Sequence, residues 1–531
     1  MTTTKINQAT PAQSHESKRG LILLFIGLML SMLLASLSQT VLSAAMPTMV
    51  GELNGVEHML WIMTAYILAS TITMPIYGKL GDLIGRKSLL IAAILLFMAG
   101  SVVGAIAGDM NLLIVGRVIQ GLGGGGLLIL SQAIIADVVP ARERGKYMGV
   151  MGAVFAISSV AGPLLGGWFT EGIGWRWTFW INIPLGTLAL VAAIYFLHLP
   201  KGATAKPGID GWGMALLAVA TTCLVLVASW GGKDYGWDSL TIIGLIVATV
   251  IAAAAFVLVE RKTAEPIIPL SLFKDRNFNL TTIAGLLTCI AMFGAIGYVP
   301  TYLQMTFSAD ATEAGLLMIP MMGALLVTSV VTGSLVSKYG RYKWMPIVGS
   351  LFVAIGLALL GTLSPDTPLW VFCAYLAIMG MGLGTSMQIL VLIVQNSFPN
   401  SQVGTATASN NYFRQIGASL GSAVVGSLFA TRLTDLLVKR LPGDGGVIGG
   451  INSLTPGGVK NLPDELRTIV DLAYNDALTP LFLYMVPLAL AALVLLLFVK
   501  EVPLATTIER DIMPESVAEG QLLITSNKAA G

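Results

Sequence analysis

One short sequence, Gly78-Lys79-Leu80-Gly81-Asp82-Leu83-Ile84-Gly85-Arg86-Lys87, recurs in degenerate form as GSLVSKYGRYK at residues 333–343. Both stretches are short, basic and bounded by glycine, which is typical of a tight turn between two closely packed helices. Each of them follows a long apolar run. A turn that recurs at this distance indicates that the chain contains two related halves.

The composition places these turns in a membrane protein. Of the 531 residues, 55% are hydrophobic and 11% are charged, whereas a soluble domain carries about 25% charged residues. The mean hydropathy is +0.81. These values exclude a soluble enzyme, a disordered chain and a disulfide scaffold. The three cysteines and three histidines show neither paired nor metal-ligand spacing, so we expect no metal and no cofactor, and nothing indicates a nucleic-acid partner.

Fourteen apolar runs are long enough to cross the hydrocarbon of a lipid bilayer, which takes about 20 helical residues. They lie near 21–45, 58–78, 88–107, 112–133, 147–169, 176–198, 211–230, 240–259, 280–304, 312–336, 345–363, 369–393, 404–431 and 479–499. The first run is too long for the apolar part of a signal peptide, so we expect it to be retained as a helix. The even number of runs places both termini on the same side.

The distribution of Lys and Arg predicts that this side is the cytoplasm. Twenty-one of the 30 basic residues lie in tails and loops on the side of the N-terminus, and cytoplasmic loops are enriched in basic residues. The sequence therefore predicts a multi-pass protein of the plasma (inner) membrane with cytoplasmic termini. A long outside loop, 432–478, turns amphipathic after its Gly-rich first half, where Pro463 and Asp464 would begin a short surface helix. This loop is either a docking site for an extracytoplasmic partner or a plain surface excursion.

The spacing of the two turns predicts the architecture. They follow spans 2 and 10, whereas halves of six helices would place them six spans apart. The turns are eight spans apart, two more than expected, which predicts two extra helices between the halves. The predicted fold is therefore an all-α membrane fold of two six-helix bundles plus two inserted helices. The predicted divisions are a cytoplasmic tail 1–20, a first bundle 21–199, the inserted helices with their linkers 200–279, a second bundle 280–500 and a cytoplasmic tail 501–531.

Charged residues beside the first turn are candidates for a gate. Asp82 stands at a helix end and could pair with Arg142 or Arg144 of the ARERGK loop. Such a pair can break when two helix bundles separate. The candidate gating residues are Gly78, Asp82, Gly85, Arg86, Lys87, Arg142 and Arg144.

Two further spans carry unusual residues. Arg117 lies near the start of span 4, followed by Gln120 and Gly121. A charged residue at the centre of an apolar helix costs at least about 2.5–3.5 kcal/mol, so Arg117 should face a cavity or a partner, or else extend to the membrane interface. Span 5 contains Gly162, Pro163, Gly166 and Gly167, where proline bends a helix and glycine allows close packing.

Together these stretches resemble the major facilitator superfamily. Residues 78–87 resemble its signature loop, 117–121 resemble a second signature linked to proton transfer, and 161–167 resemble the antiporter signature of exporters. Further stretches are similar to the fourteen-helix drug/proton antiporters, the branch of EmrB-like and QacA-like multidrug exporters: 61–68, 175–186, 260–273, 312–315, 413–417 and 500–504. The resemblance covers about residues 21–504 and implies a transporter, not an enzyme, that exports drugs by antiport.

The chain departs from that branch in span 1. The branch usually carries Leu-Asp-x-Thr there, where this chain has Leu37-Ser38-Gln39-Thr40, and none of the 28 Asp and Glu residues lies in the middle of a span. Proton coupling needs a group whose pKa responds to burial and to a neighbouring charge. The candidates for proton coupling are Arg117, Glu57, His58, Asp137 and Glu313. Each acid among them could instead be a solvated group at a helix end.

Polar and aromatic residues inside the spans are candidates for the lining of a substrate cavity. They are Gln39, Trp61, Tyr66, Gln120, Tyr302, Gln304, Gln388, Asn410, Phe413 and Arg414. Without a central acid, neutral or anionic amphiphiles fit such a cavity better than dications, although the same side chains could simply pack between helices.

The sequence as a whole predicts a secondary exporter of hydrophobic or amphiphilic compounds that works by alternating access and is driven by inward proton flow. Three alternatives stay open: a narrow-substrate exporter of a metabolite, lipid or siderophore, an uncoupled facilitator, and a sensor that transports nothing. A membrane enzyme or channel is disfavoured, because the sequence contains neither a GxxxxGK[ST] nucleotide loop nor an HExxH metal motif.

Overall fold

The computed structural model describes residues 12–55, 58–197, 208, 210–232, 234–307, 309, 311–440 and 463–506. Regular secondary structure in these residues is helical. The α-helices are α1 Ala12–Glu52, α2 Met59–Ile84, α3 Arg86–Ala105, α4 Met110–Val138, α5 Ala141–Glu171, α6 Trp177–Trp180, α7 Asn182–Phe196, α8 Gly211–Trp230, α9 Leu240–Glu260, α10 Arg276–Ile296, α11 Val299–Thr306, α12 Ala311–Leu316, α13 Ile319–Tyr339, α14 Trp344–Leu360, α15 Leu369–Ser397, α16 Asn400–Arg440 and α17 Asp464–Leu497.

Each of the fourteen predicted spans has a helical counterpart. Within the described residues thirteen helical segments are long and apolar enough to cross a bilayer, and the shorter Trp344–Leu360 accounts for the remaining span. Three spans are broken into two helices: the sixth into α6 and α7, the ninth into α10 and α11, and the tenth into α12 and α13. Pro300 and Pro320 lie at the starts of α11 and α13, and proline breaks a helix because it lacks an N–H and its ring collides with the preceding turn.

The outside loop is narrower than predicted. Helix α16 continues to Arg440, and α17 begins at Asp464, so the amphipathic segment is the first part of the last spanning helix and not a separate surface helix. The reason is packing, since Val470, Ala473 and Ala477 are buried in the core beside α11 and α16. The middle of the predicted loop, 441–462, lies outside the described residues, and so does any docking surface on it.

Two helical halves and an inserted pair make up the fold. Helices α1–α7 form the first half, α10–α17 form the second half, and α8 and α9, here called the insert, pack against each other between them in the chain. The halves meet mainly where α2 packs on α16 and α5 packs on α13. The two six-helix bundles with two inserted helices are therefore confirmed, whereas the domain boundaries given above stay predictions.

The two copies of the basic turn lie at one end of the helices, here called the motif face. Gly85 has φ 95° and Gly340 has φ 72°, backbone conformations that only glycine adopts without strain. Both turns therefore depend on glycine at the same place in the repeat.

The segment that follows α17 runs along the motif face from the second half to the first. The Glu501 carboxylate accepts hydrogen bonds from the backbone N–H groups of Tyr342 (2.8 Å) and Lys343 (3.3 Å), and the Val502 N–H donates to the Tyr342 hydroxyl (2.7 Å). Burial raises the pKa of the Tyr342 hydroxyl, so it stays protonated. Further on, the Arg142 N–H donates to the Ala505 carbonyl at 3.0 Å, which ties this segment to the first turn of α5.

Candidate functional site

A cavity of about 320 Å³ lies between the two halves and the insert. Its wall comes from α1, α2, α4 and α5 of the first half, α8 of the insert, and α10 and α16 of the second half. Its polar groups are hydroxyls and amides, and none of its described lining residues is charged: Ser36, Gln39, Thr64, Ser70, Ser229, Gln415, Ser419 and Ser422, with the Tyr66 ring. Phe155, Phe293 and several aliphatic side chains complete the wall. Such a wall suits a mostly apolar molecule with a few uncharged polar groups.

The cavity is closed on the side of the motif face. Met74, which lines the cavity, packs with Ile129 and Ala408 in an apolar cluster. One turn further along α2, Gly78 lies so close to α16 that a Cβ atom there would collide with Ala408. Close helix contact of this kind needs glycine and excludes water from the seam between the halves.

Two amides of the second half hold the same seam. The Gln132 side-chain oxygen accepts a hydrogen bond from the Asn411 amide at 2.9 Å, and the Gln132 backbone carbonyl accepts one from Gln395 at 3.1 Å. These bonds join α4 to α15 and α16. The hydrogen bonds between the halves cluster on this side of the cavity.

Of the ten predicted cavity residues, Gln39 and Tyr66 line the cavity. Trp61 lies beside it and packs edge-on against Trp230 of the insert. Gln388 lies where α15 meets α5, within reach of Gly152.

None of the eight other predicted cavity residues, Trp61 and Gln388 included, is among the described lining residues. Tyr302 is buried in the core of the second half, where its hydroxyl donates to Asn475 at 2.8 Å. Asn410 is buried against Thr282, and Phe413 packs against Phe273 and Tyr412. Gln304 is half-buried on α11.

The helix face of α16 explains part of this difference. Gln415, Ser419 and Ser422 line the cavity, and they lie on one face of the helix at the spacing i, i+4 and i+7. The sequence analysis predicted Phe413 and Arg414, which are bulkier and directly precede Gln415 in the chain. The small polar residues at helical spacing were the signal that could have located the wall.

Arg117 lies one layer behind the cavity. It is 0% exposed, and its guanidinium donates to the Ile62 carbonyl (3.0 Å), the Ser38 hydroxyl (3.1 Å) and the Gln120 side-chain oxygen (2.7 Å). The guanidinium carbon also lies 4.3 Å from the centre of the Tyr66 ring. The serine that stands in place of the usual acid therefore contacts this arginine directly. Among the described residues, neutral dipoles and a ring face surround the charge, and no carboxylate forms an ion pair with it.

The Gln120 amide extends this network, since it donates to the Ser101 hydroxyl at 2.7 Å. A predicted cavity residue, Gln120, thus acts within the first half and orients Arg117.

Arg414 is a second predicted cation and lies on α16 of the second half. It is half-buried and donates to Met387 Sδ at 3.0 Å and to the Asn411 side-chain oxygen at 3.4 Å. Among the described residues, no carboxylate is close enough to form an ion pair with it. Because Asn411 also bonds Gln132, Arg414 is linked to the seam between the halves.

The gate candidates form one network across the motif face. Asp82 accepts hydrogen bonds from the Gly404 N–H (3.1 Å), the Thr405 N–H (2.7 Å) and the Thr405 hydroxyl (2.8 Å), all near the N-terminal end of α16 in the other half. Its side chain is 4% exposed. These donors lie in the second turn of α16, and the dipole of a helix favours a negative charge near its N-terminal end.

Arg86 holds this carboxylate in place. It forms ion pairs with Asp82 (2.6 Å) and with Asp137, and it donates to the carbonyls of Ala133 (2.8 Å) and Asn400 (3.0 Å). Asn400 belongs to the second half, so Arg86 also bonds across the seam. Lys87 donates instead to the Ile194 carbonyl at 2.9 Å, within its own half.

The predicted pairing of Asp82 with Arg142 or Arg144 was wrong. Arg142 donates to the carbonyls of Ser337 and Lys338 on α13, whereas Arg144 is buried and donates to the carbonyls of Ala136 and Val139. Arg86 is the first residue of α3, directly after the Gly85 turn, and this turn brings its side chain to Asp82 near the end of α2. Arg142 bonds across the seam, but at the second turn.

The second turn repeats the first contact in a weaker form. Ser337, the counterpart of Asp82, accepts a hydrogen bond from the Lys146 N–H (3.0 Å) near the start of α5. Gly145 and Gly333 approach so closely that a Cβ at Gly333 would collide with the Gly145 carbonyl. Each half thus presents its basic turn to the first turns of a helix in the other half.

The candidates for proton coupling lie apart from one another. Asp137 belongs to the gate network through Arg86. His58 is exposed at the start of α2, and Glu313 is exposed on α12 at the same end of the helices. Glu57 lies outside the described residues.

The residues of the antiporter signature pack α5 against α1 inside the first half. Gly162 and Gly166 face Thr40 and Val41 so closely that a side chain at either glycine would collide, whereas Gly167 has open space. The Thr40 hydroxyl donates to the Ser158 carbonyl at 2.8 Å. Pro163 lies within the helix between these contacts.

The comparisons with known proteins agree with this geometry. Residues 28–422 match the family model of the Major Facilitator Superfamily. This chain belongs to the major facilitator superfamily. It is 37% identical over 470 residues to the multidrug transporter protein MdtP of Bacillus subtilis (strain 168), which covers 88% of this chain and 85% of the relative. It is 34% identical over 494 residues to multidrug resistance protein 3 of the same organism, with 91% and 96% covered.

Solved structures show the same fold for this member of the superfamily. The human organic anion transporter MFSD10 (TETRAN) is 16% identical with a TM-score of 0.57, covering 91% of this chain and 100% of that one. The proton:xylose symporter XylE is 19% identical with a TM-score of 0.55, covering 91% and 97%. At these identities the likeness shows the fold alone. The predicted superfamily is confirmed, and the chain is a multi-pass membrane transporter, not an enzyme.

Proposed function

We propose that this transporter exports hydrophobic or amphiphilic compounds by alternating access. The observation that carries the proposal is the uncharged cavity of about 320 Å³ between the halves, closed at the motif face by contacts that can break. The relatives in Bacillus subtilis are named a multidrug transporter and a multidrug resistance protein, which supports export of several compounds by this chain as well.

The charge of the turns supports an orientation. Both basic turns and the segment after α17 lie at the motif face, and basic loops favour the cytoplasm. The motif face is then the cytoplasmic side of a plasma (inner) membrane, with both termini on it. The described conformation, closed at this face, is the one that faces outward and releases substrate.

The chemistry of the wall favours neutral substrates. A permanent cation that leaves water loses its hydration, and a carboxylate offsets that loss most strongly. The described lining residues offer hydroxyls, amides and aromatic rings but no carboxylate. Neutral amphiphiles can bond these groups and spread their apolar parts over Tyr66, Phe155 and Phe293.

Protons drive the export in this proposal, through the gate. Arg86 bonds both Asp82 and Asp137, and Asp82 bonds the second half. A proton on either carboxylate weakens its bond to Arg86 and loosens the motif face. The contact of Ser38 with Arg117 favours an uncoupled facilitator as the second candidate, because the usual acid of span 1 is missing there.

Transport into everted membrane vesicles with an imposed pH gradient tests the proposal. We would compare chloramphenicol, a neutral amphiphile, with tetraphenylphosphonium, a cation, and cholate, an anion, and use vesicles without the transporter as the control. We expect uptake of chloramphenicol above the control, little uptake of the cation, and collapse of uptake when an uncoupler is added.

The outcomes separate the candidates. Uptake that is equal with and without the gradient would favour the facilitator. Preferential uptake of tetraphenylphosphonium would contradict the substrate class. Lack of uptake of all three compounds would favour a narrow-substrate exporter.

A further inference from the structure

The insert is anchored to both halves at the cavity. Trp230, the last residue of α8, packs edge-on against Trp61 of the first half, with ring centres 6.0 Å apart. On the other side, the Thr221 and Tyr412 hydroxyls share a buried hydrogen bond of 2.8 Å. Helix α8 therefore packs on both α2 and α16 and covers the seam between them.

The connection between α8 and α9 adds a second anchor. The Trp237 ring N–H donates to the Ser427 hydroxyl of α16 at 2.6 Å. Ser427 lies one turn beyond Ser422, which lines the cavity. The insert thus follows the cavity wall of α16 toward the end opposite the motif face.

One face of α8 belongs to the cavity. Val225, Ala228 and Ser229 are among its lining residues, and their spacing of three and four places them together on the helix. Val219 lies on another face and is 49% exposed. In a membrane that face meets lipid, because α8 is a spanning helix.

We propose that α8 is the third wall of the transport cavity, and that Val225, Ala228 and Ser229 set the bulk of the compounds that the cavity accepts. This inference rests on the proposed export function. Three short side chains leave space that a longer one would fill, and Ser229 adds a hydroxyl next to those of α16. The two halves alone would leave this side of the cavity uncovered.

A bulky side chain placed in the cavity tests whether α8 sets the size of the compounds that are transported. Ala228→Phe fills the cavity from α8, whereas Val219→Phe, the matched control, adds the same side chain on the lipid face. Chloramphenicol and its BODIPY conjugate share a polar head and differ in size. We expect Ala228→Phe to lower transport of the conjugate at least tenfold more than that of chloramphenicol, and Val219→Phe to leave the ratio unchanged. An unchanged ratio in Ala228→Phe would overturn the role in specificity.

Thiol labelling tests the wall without any transport. Ser229→Cys and Val219→Cys are made in the full chain with Cys223, Cys289 and Cys373 replaced by alanine, and treated in liposomes with a charged, water-soluble methanethiosulfonate. Only a thiolate reacts with this reagent, and thiolates form in water and not in lipid. We therefore expect Ser229→Cys to react about tenfold faster than Val219→Cys. Equal labelling rates of the two variants would overturn the proposal that α8 lines the cavity.

The two tests fail separately. Fast labelling of Ser229→Cys in a chain that transports neither compound would overturn the proposed export of amphiphilic compounds and support the proposal that α8 lines the cavity. Transport by the wild type together with slow labelling of Ser229→Cys would support export and overturn the proposal that α8 lines the cavity.

Discussion

Among single residues, Asp82 and Ser337 occupy equivalent places in the two basic turns and contribute differently to closure of the motif face. Asp82 offers a carboxylate to three donors of α16, whereas Ser337 offers a hydroxyl at the equivalent place. Hydrogen bonds to a charged group are roughly twice as strong as those between neutral groups. At these two equivalent positions, the side chain of the first turn therefore contributes more to closure than that of the second.

Asp82→Asn keeps the shape of the side chain and removes its charge. Losing about 1.5–3 kcal/mol of charged hydrogen bonding should destabilise the closed face and lower the turnover rate about tenfold or more, while the Kd for substrate changes little. Single-turnover transport and equilibrium binding measure the two quantities. Ser337→Ala is the matched control and should slow turnover much less; equal effects of both variants would contradict this ranking.

Arg117 supports the cavity wall from behind. Arg117→Ala leaves Ser38, Gln120 and the Ile62 carbonyl without their donor, and it removes the cation from the Tyr66 ring. Since each lost bond to a charged group costs about 1.5–3 kcal/mol, we expect transport to fall at least tenfold with expression retained.

Arg176→Ala is the control for that variant. Arg176 also lies on an aromatic ring, that of Trp175, and pairs with Glu52, but it is part of an exposed ion pair outside the cavity. Surface pairs contribute about 0–1 kcal/mol, so its transport should stay near that of the wild type. Normal transport by Arg117→Ala, measured in the same vesicles, would rule out the supporting role.

At the scale of helices, the pairs that join the halves are held together by backbone contact. Gly78 meets α16, and Gly145, Gly149 and Gly333 lie where α5 meets α13. The absence of side chains lets carbonyl groups touch the opposite helix and makes the contact short enough to exclude water. Because no side chain fills the space between the helices, any side chain added at these glycines would disturb the contact.

Gly333→Ala should separate α13 from α5. The added methyl would collide with the Gly145 carbonyl, and overpacking of this kind costs about 1–3 kcal/mol. We expect a shift toward the conformation open at the motif face, seen as an increased α5–α13 distance by electron paramagnetic resonance. Gly323→Ala in the same helix meets open space and should leave the distance unchanged; an equal shift in both variants would point to helix propensity instead of contact.

At the scale of the whole molecule, opening the motif face must break both turns at once. Each turn faces the first turns of a helix in the other half, and the segment after α17 crosses from the second half to α5. The proposed alternating access therefore requires the two halves to move as bodies, since local motion would leave one of the contacts intact.

A disulfide across the second turn should lock the transporter. The Lys146 N–H donates to the Ser337 hydroxyl at 3.0 Å. Because a serine side chain is short, this contact brings the backbones of α5 and α13 close enough for Lys146→Cys and Ser337→Cys, in a chain without the native cysteines, to form a disulfide. We expect transport to stop under oxidation and to recover with a reductant. Ser337→Cys alone should respond to neither treatment, and full transport by the oxidised double variant would contradict motion between the halves.

The number of spanning helices, the two related halves and the two inserted helices can be read from the sequence, because hydropathy and charge are local properties of each segment. The repeated turn also predicts where the halves touch. The partners of individual residues follow only from the folded structure: Asp82 bonds Thr405, more than 300 residues away, Gln415 and not Arg414 lines the cavity, and α8 contributes to its wall. Those choices depend on how each helix is rotated and packed against distant helices, and no local pattern contains that information.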